Sequence, residues 1–405
     1  FTIISNDAIP IYPYEYAIIP DTMVTLIAST VYPLISQATY VFQIDTTDQF
    51  NSPFLKESPP ITQAGGILSW LLPFPLTSMP DSTVYYWRVK RDGTNNWRES
   101  SFQFIPHKRG WVQAHFFQFK NDQYTYVAFN RPQRRFDFIN TLVTIQAQTG
   151  FYPYIQWSEE WYKINGALKG QWSCTNYNGN GMKFAVFDTI SISPWVNVDP
   201  DGDGIGPYGA LNCRSYPYYD FDFFTTDSMW LERMRKFIDT IPNGYYVLAF
   251  SHRNHNAQNY PEGLYQAFES IGSTVIRTLP NNHPYIIFGR KGYYNSADER
   301  VGSNISSIVS GEWTLTTKWK EGWIKSTVVG PALKWGSLHW RVRSYEPHVW
   351  TDSVRLYVLG IRQNGQEDTL LGPLPPVPDS MDIHNLSSRI NAQVYPQLRL
   401  LIKMQ

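Results

Sequence analysis

What most constrains this chain is the recurrence of short runs in which apolar and polar residues alternate, each closed by a turn signal. "MVTLIAST", "TYVFQIDTT", "GILSWLLPF", "TVYYWRVKRDG" and "SFQFIP" follow one another between Thr22 and Pro106. A period of two sends successive side chains to opposite faces of a strand, and evenly spaced runs of this kind predict an antiparallel sandwich. In "TVYYWRVK", Tyr85, Trp87 and Val89 share a face, which places Trp87 in the core. Aromatic residues reach 16%, with 27 Tyr and 15 Trp, and such side chains pack well on pleated surfaces. The 405 residues exceed the roughly 250–300 that one hydrophobic core serves. The expected class is therefore mostly β and multidomain.

Charge excludes one class of partner. Lys plus Arg and Asp plus Glu each number 34, so there is no basic surplus to draw a nucleic acid. No run approaches the roughly 20 apolar residues of a membrane helix, so membrane insertion is not expected. Phe1 is neither an initiator Met nor the start of a signal peptide, and the chain reads as excised from something longer. Residues 1–21, with "IPIYPYEYAIIP", read as a linker or the tail of a preceding domain.

Residues 107–294 open with further alternating runs, "GWVQAHFFQF", "QYTYVAFN" and "NTLVTIQAQTG", and then change character. After the strand "MKFAVFD", the apolar residues Trp230, Leu231, Met234, Phe237, Ile238 and Ile241 recur at helical spacing, predicting a helix over 227–241. Thr226 or Asp227 caps it, and Pro242 with Gly244 ends it. "YYVLAFS" reads as a strand buried on both faces. A second helix follows Pro261, with Leu264, Phe268 and Ile271 as its stripe and Gly272 at its end. "STVIRTL" and "HPYIIFGRKG" are expected as the next strands, completing an α+β module from about Met182 to Gly292. Residues 295–405 return to strand punctuation, with a hairpin signal at Asn364-Gly365, and predict a jelly-roll-like β-sandwich.

Three resemblances attach to these motifs. The run "TVYYWRVK", the turn at Asp92 and Gly93 and the strand "SFQF" resemble the last two strands of a fibronectin type III domain, assigned here to residues 22–106. The order "KFAVFD", "YDFDFFTTD", "LERMRKFIDTIPNG", "YYVLAFS", "LYQAFESIGSTVIRTL", "PYIIFGRKG" resembles the interleukin-like EMT inducer (ILEI) family and related lectin-like domains. That resemblance implies a small α+β module in a secreted or surface protein, with carbohydrate binding in some relatives. This chain departs from it by the insertion "SPWVNVDPDGDGIGPYGALNCRS" and by its cysteine pattern. The flanking motifs "STVVGPALKWGSLHW" and "INAQVYPQLRLLIK" are similar to the region after the peptidase domain in gingipain-type, PorU-like type IX secretion sortases of Bacteroidota. An extracellular or outer-membrane-associated location, and a glycan or cell-surface protein as partner, are what these resemblances imply.

Candidate chemistry is sparse. Asp199, Asp201 and Asp203 alternate and Gly204 follows, as in calcium loops, but the twelfth position is Ala210 rather than Glu, so the run reads either as a calcium site or as a solvated acidic turn. Cys174 and Cys213 bracket the strand "MKFAVFD" and the insertion, and form either one disulfide or two free thiols. His252, Arg253 and His255 lie where a central strand ends, placed to grip a ligand or to cap the strand and the next helix. Trp195, Trp319 and Trp323 stand in turn-like contexts suited to a binding surface, and the pair Glu159 and Glu160 reads as surface charge. No phosphate-binding loop, nucleophile elbow or zinc-protease helix is present, so no catalytic residue is assigned. An enzyme acting on glycans and a rigid spacer are the alternatives to a binding module.

Overall fold

The computed structural model describes residues 7–31, 36–171, 180–198, 219–342, 353–376 and 381–405. The Asp199, Asp201, Asp203 run and both cysteines lie outside them. The chain forms two compact units, Phe1–Asp137 with Glu321–Gln405, and Phe138–Lys320.

In the first unit the alternating runs do form a sandwich. Thr25–Thr30 lies between Ala8–Tyr12 and Ile67–Leu71, all antiparallel. The facing sheet is built around Val84–Arg91, flanked by Ala38–Asp45 and Arg98–Phe104. Leu26, Leu68 and Trp70 meet Tyr40, Phe42, Tyr85, Trp87 and Phe102 between the two. Trp87 is fully buried and stacks on Phe42, as its alternation predicts. The opposite face of that strand is buried too, because Val84 and Tyr86 are covered by Phe50 and Phe117. Ala8–Tyr12, within the segment expected as a linker, is an edge strand of the sandwich.

The same unit carries a five-stranded sheet in the order Gln123–Thr125, Gly322–Lys325, Gln397–Met404, Val354–Ile361, Glu367–Leu374. Gly365, at φ +84°, occupies the left-handed region in the turn the sequence marks. Val358 and Leu398 of this sheet pack with Trp335, Ile383, Leu386 and Ile390.

The second unit is a three-layer stack whose strands are numbered here along the chain. One sheet joins β1 (Asn140–Thr149), β2 (Trp161–Ile164), β3 (Ala167–Gln171) and β9 (Val309–Lys318) in the order β3-β2-β1-β9. The middle sheet has the order β5-β4-β6-β7-β8, from β4 (Gly181–Phe187), β5 (Phe221–Phe224), β6 (Tyr246–His252), β7 (Tyr285–Arg290) and β8 (Asp298–Val301). Helices α1 (Ser228–Thr240) and α2 (Glu262–Ser270) form the third layer. Asp227 caps α1 by accepting from the Met229 N–H at 2.7 Å. Along β4 and β6 the residues Phe184, Val186, Val247 and Ala249 pack on the helices. Their neighbours Ala185, Phe187, Leu248 and Phe250 pack on Ile145, Ala147 and Tyr162 of the first sheet. Both faces of the middle sheet are thus covered, which explains the continuous apolar runs of its strands.

One expected strand is absent. Ser273–Leu279 forms turns, because Glu299 of β8 takes hydrogen bonds from the Ser273 hydroxyl and from Thr274 N–H and Oγ1. Ile276 and Leu279 are still buried, so the apolar residues that suggested a strand reach the core from a turn.

Asp122, in the first unit, is 9% exposed, with Oδ1 accepting from Gln113 Nε2 at 2.7 Å and from the Thr327 N–H at 3.2 Å. Burial pushes its carboxyl from 3.8 up to about 7, against the lowering effect of these bonds. The folded state therefore holds the proton more tightly than the unfolded chain. The stabilising contribution is complete below about pH 3.8 and is lost as pH rises through 7, by at most about 4 kcal/mol. Asp122→Asn is expected to remove this loss, so the gap in denaturant midpoint between variant and parent should widen from pH 4 to pH 8.

Candidate functional site

Alternation places Lys183 of β4 on the face of the middle sheet that meets the first sheet, among apolar neighbours. Directly opposite in register is Asp222 of β5, and both carboxylate oxygens lie 2.9 Å from the Lys183 ammonium. Asp220 adds a second carboxylate at 3.7 Å. His252, the last residue of β6, points to the same layer, and its Nδ1 donates to Glu160 Oε2 at 2.8 Å. The five side chains belong to residues between 2% and 6% exposed.

Electrostatics explain why the group holds together. Burial penalises the Lys183 ammonium, but Asp222 and Asp220 outweigh that penalty and raise it to about 12. Burial pushes Asp222 up to about 6, with Asp220 adding repulsion and Lys183 opposing both. At neutral pH the Lys183–Asp222 pair is ionised, and each charge is tolerable only because of the other. The arrangement fixes charge in a layer buried between packed sheets.

The residues expected to bind ligand divide accordingly. His252 is buried with its Nδ1 on Glu160. His255 is fully buried, its Nδ1 accepting from the Ala257 N–H at 3.1 Å and its Nε2 donating to the His283 carbonyl at 3.1 Å. Burial lowers it to about 4, so it is a neutral imidazole that pins the turn after β6. Arg253 is half-buried, at φ +52°. Of the acidic pair expected at the surface, Glu159 is exposed but Glu160 is 3% exposed, because its partner 92 residues away lies in the interior. Trp195 is half-buried, packed edge-on against Phe237 and Tyr245; Trp323 meets Tyr126 edge-on; Trp319 is half-buried.

The motifs that carried the family resemblance meet at the far end of the module. Lys291 of "FGRKG" donates from Nζ to the Ser270 hydroxyl of "SIGS" at 2.7 Å, and the Gly292 N–H reaches the Ser270 carbonyl at 2.7 Å. The Gly244 N–H of "FIDTIPNG" donates to the Lys291 carbonyl at 2.8 Å. A Cβ at Gly289 would collide with the Ile271 carbonyl, and Gly272, at φ +100°, would bring a Cβ within 2.8 Å of the Ala297 nitrogen. These glycines let the end of α2 lie against β7.

One further constellation was not legible in the sequence. Ser337 Oγ, His339 and Asp382 stand in relay in the first unit, with 2.8 Å from Oγ to Nε2 and 2.7 Å from Nδ1 to Oδ1. They meet because Leu338–Trp340 pairs with Met381–Ile383, setting His339 opposite Asp382. The His339 and Asp382 side chains are 45% and 41% exposed. Water competes for such bonds, unlike those of a working triad with its buried carboxylate. Among the described residues, no group of three or more His, Cys, Asp or Glu could hold a metal, and no helix is long and apolar enough to cross a membrane.

Residues 207–293 match the family described as Interleukin-like EMT inducer, a span that takes in β5, α1, β6, α2 and β7. No curated protein matches the chain. Among solved structures, a chain from "Structural basis for the promiscuous specificity of the carbohydrate-binding modules from the beta-sandwich super family" is 8% identical over 99% of this chain and 92% of its own, with a TM-score of 0.16. At that score the fold rests on the strands themselves.

Replacing Lys183 by Met leaves Asp222 and Asp220 buried without their counter-charge. Lys183→Met is expected to cost about 3–5 kcal/mol in urea unfolding at pH 7. Without the ammonium that holds it down, the Asp222 carboxyl takes up its proton above about 6, so the cost should shrink as pH is lowered from alkaline values towards 6 and change little below that. Adding Asp222→Leu should restore most of the loss.

Proposed function

We propose that this chain is a non-catalytic binding and scaffolding region of a secreted or cell-surface protein, and that its ligand is a glycan. The observation that carries the reading is the burial and mutual pairing of the module's ionisable groups. Lys183, Asp222, Asp220, Glu160 and His252 are all shut between two sheets, where a catalytic acid, base or nucleophile would have no access to substrate.

Other features support the glycan. Equal numbers of acidic and basic residues favour an uncharged ligand over a polyanion. The outer face of β1 and β9 presents Thr144 beside Thr314 and Gln146 bonded to Glu312, hydroxyl and amide groups of the kind that hydrogen-bond sugar hydroxyls. The flanking motifs support placing the chain among Bacteroidota surface proteins linked to type IX secretion, at the outer membrane. Calcium at Asp199, Asp201 and Asp203 belongs to the same proposal. The relay at Ser337, His339 and Asp382 favours a second reading, an esterase acting on acylated glycans.

A glycan array on the whole chain, paired with turnover assays on every hit and on a chromogenic ester, tests the choice. Binding without cleavage is expected, together with a melting temperature that falls on chelation and no longer responds to calcium in Asp201→Asn. Ester hydrolysis lost in Ser337→Ala would replace the binding reading with the enzymatic one.

A further inference from the structure

We propose that a pocket of about 360 Å³ in the first unit, walled by loop 46–51 with Tyr86, His115 and Arg134, is the seat of one uncharged sugar ring. The assignment rests on the glycan-binding reading above and gives it a location. None of these residues was marked by the sequence, since they come from four separated segments.

The loop is shaped before any ligand arrives. Asp45 is fully buried, and its carboxylate accepts from the Thr46 N–H at 2.6 Å, the Ser52 N–H at 3.0 Å, Thr47 Oγ1 at 3.3 Å and the Ser52 hydroxyl. Phe50, at φ +53°, is held beneath the Arg88 guanidinium, 3.9 Å from the ring centroid. A loop clasped in this way loses little conformational freedom on binding, so its contacts are not offset by an ordering cost.

The groups facing the pocket match a polyol rather than an ion. Arg134 Nη1 donates to Asp48 Oδ1 at 2.7 Å, so the one cation in the wall is already neutralised. A guanidinium has five N–H groups, and this contact uses one of them. Arg134 is 47% exposed, which leaves donors to meet hydroxyl oxygens. Asn51 and Gln49 share an amide–amide hydrogen bond at 3.2 Å on the exposed rim and supply both donor and acceptor capacity. Tyr86 OH and His115 Nδ1 lie 3.3 Å apart in the wall, and partial desolvation together with the nearby Arg134 charge lowers His115 from its ordinary value, which favours the neutral imidazole at pH 7. A phosphate or sulfate would find no net positive charge here. The volume falls near the lower end of the roughly 300–1,000 Å³ typical of ligand pockets, enough for one ring with its substituents.

Titration calorimetry of the whole chain with neutral methyl hexosides and N-acetylhexosaminides, and with a methyl uronide as the charged probe, tests the assignment. A neutral glycoside is expected to bind, with Asn51→Ala and Arg134→Ala each weakening it by roughly tenfold. Asn51 lies on the exposed rim, so its variant keeps the test valid if Arg134→Ala disturbs folding. Undiminished binding in Asn51→Ala and in a folded Arg134→Ala would overturn the pocket while leaving glycan binding standing elsewhere. A preference for the uronide would overturn the charge argument and the assignment with it. No binding of any glycoside, with an empty glycan array, would overturn both readings.

Discussion

The contact between Lys183 and Asp222 is the constraint on which the second unit turns. It is a directly opposed pair on β4 and β5, in a layer otherwise filled by Phe187, Leu248, Phe250 and Tyr162. A slip of one residue between these strands would send Asp222 to the helix-facing side, among Phe184, Phe237 and Phe268. There it would have no cation and no water. The pair adds little net stability against an apolar substitute, yet it makes every other register far worse. The edge strand is thereby placed, and with it the segment that enters α1.

The opposite end of the module is set by close backbone approach instead of charge. Gly289 and Gly272 let α2 end against β7, and the Lys291–Ser270 contact closes the junction. This gives the family-like motifs a mechanical meaning. "SIGS", "FGRKG" and "FIDTIPNG" are the three pieces of one joint, and a chain carrying them inherits a fold before it inherits a ligand. That is why the family match at residues 207–293 speaks to architecture first.

Sequence periodicity made legible whatever depends on neighbours along the chain. The cap at Asp227, the stripe of α1, the buried run of β6 and the core position of Trp87 all follow from local pattern, and all appear where expected. Contacts between distant segments were not legible. Glu160 reads as surface charge because nothing near it along the chain announces His252. The turn at Ser273–Leu279 reads as a strand because Glu299, which holds it, comes later in the chain. Tyr86 alternates out of one core and into another, since Phe50 and Phe117 cover the face that alternation leaves open. The pocket beside it is assembled from residues 46–51, 86, 115 and 134, a combination visible only after folding.

The covered middle sheet has an evolutionary consequence. With helices on one face and a second sheet on the other, every interior position between β4 and β8 is constrained twice, and neither face can be remodelled without repacking a layer. Length can change only at the rim, where strands end and loops begin. The chain between "MKFAVFD" and "FDFF" leaves from the end of β4 and returns at the start of β5, at such a rim. A scaffold of this kind diversifies by grafting new segments onto fixed sockets, so two relatives can share the joint at Gly289 and the same stack of layers while presenting unrelated surfaces to the world.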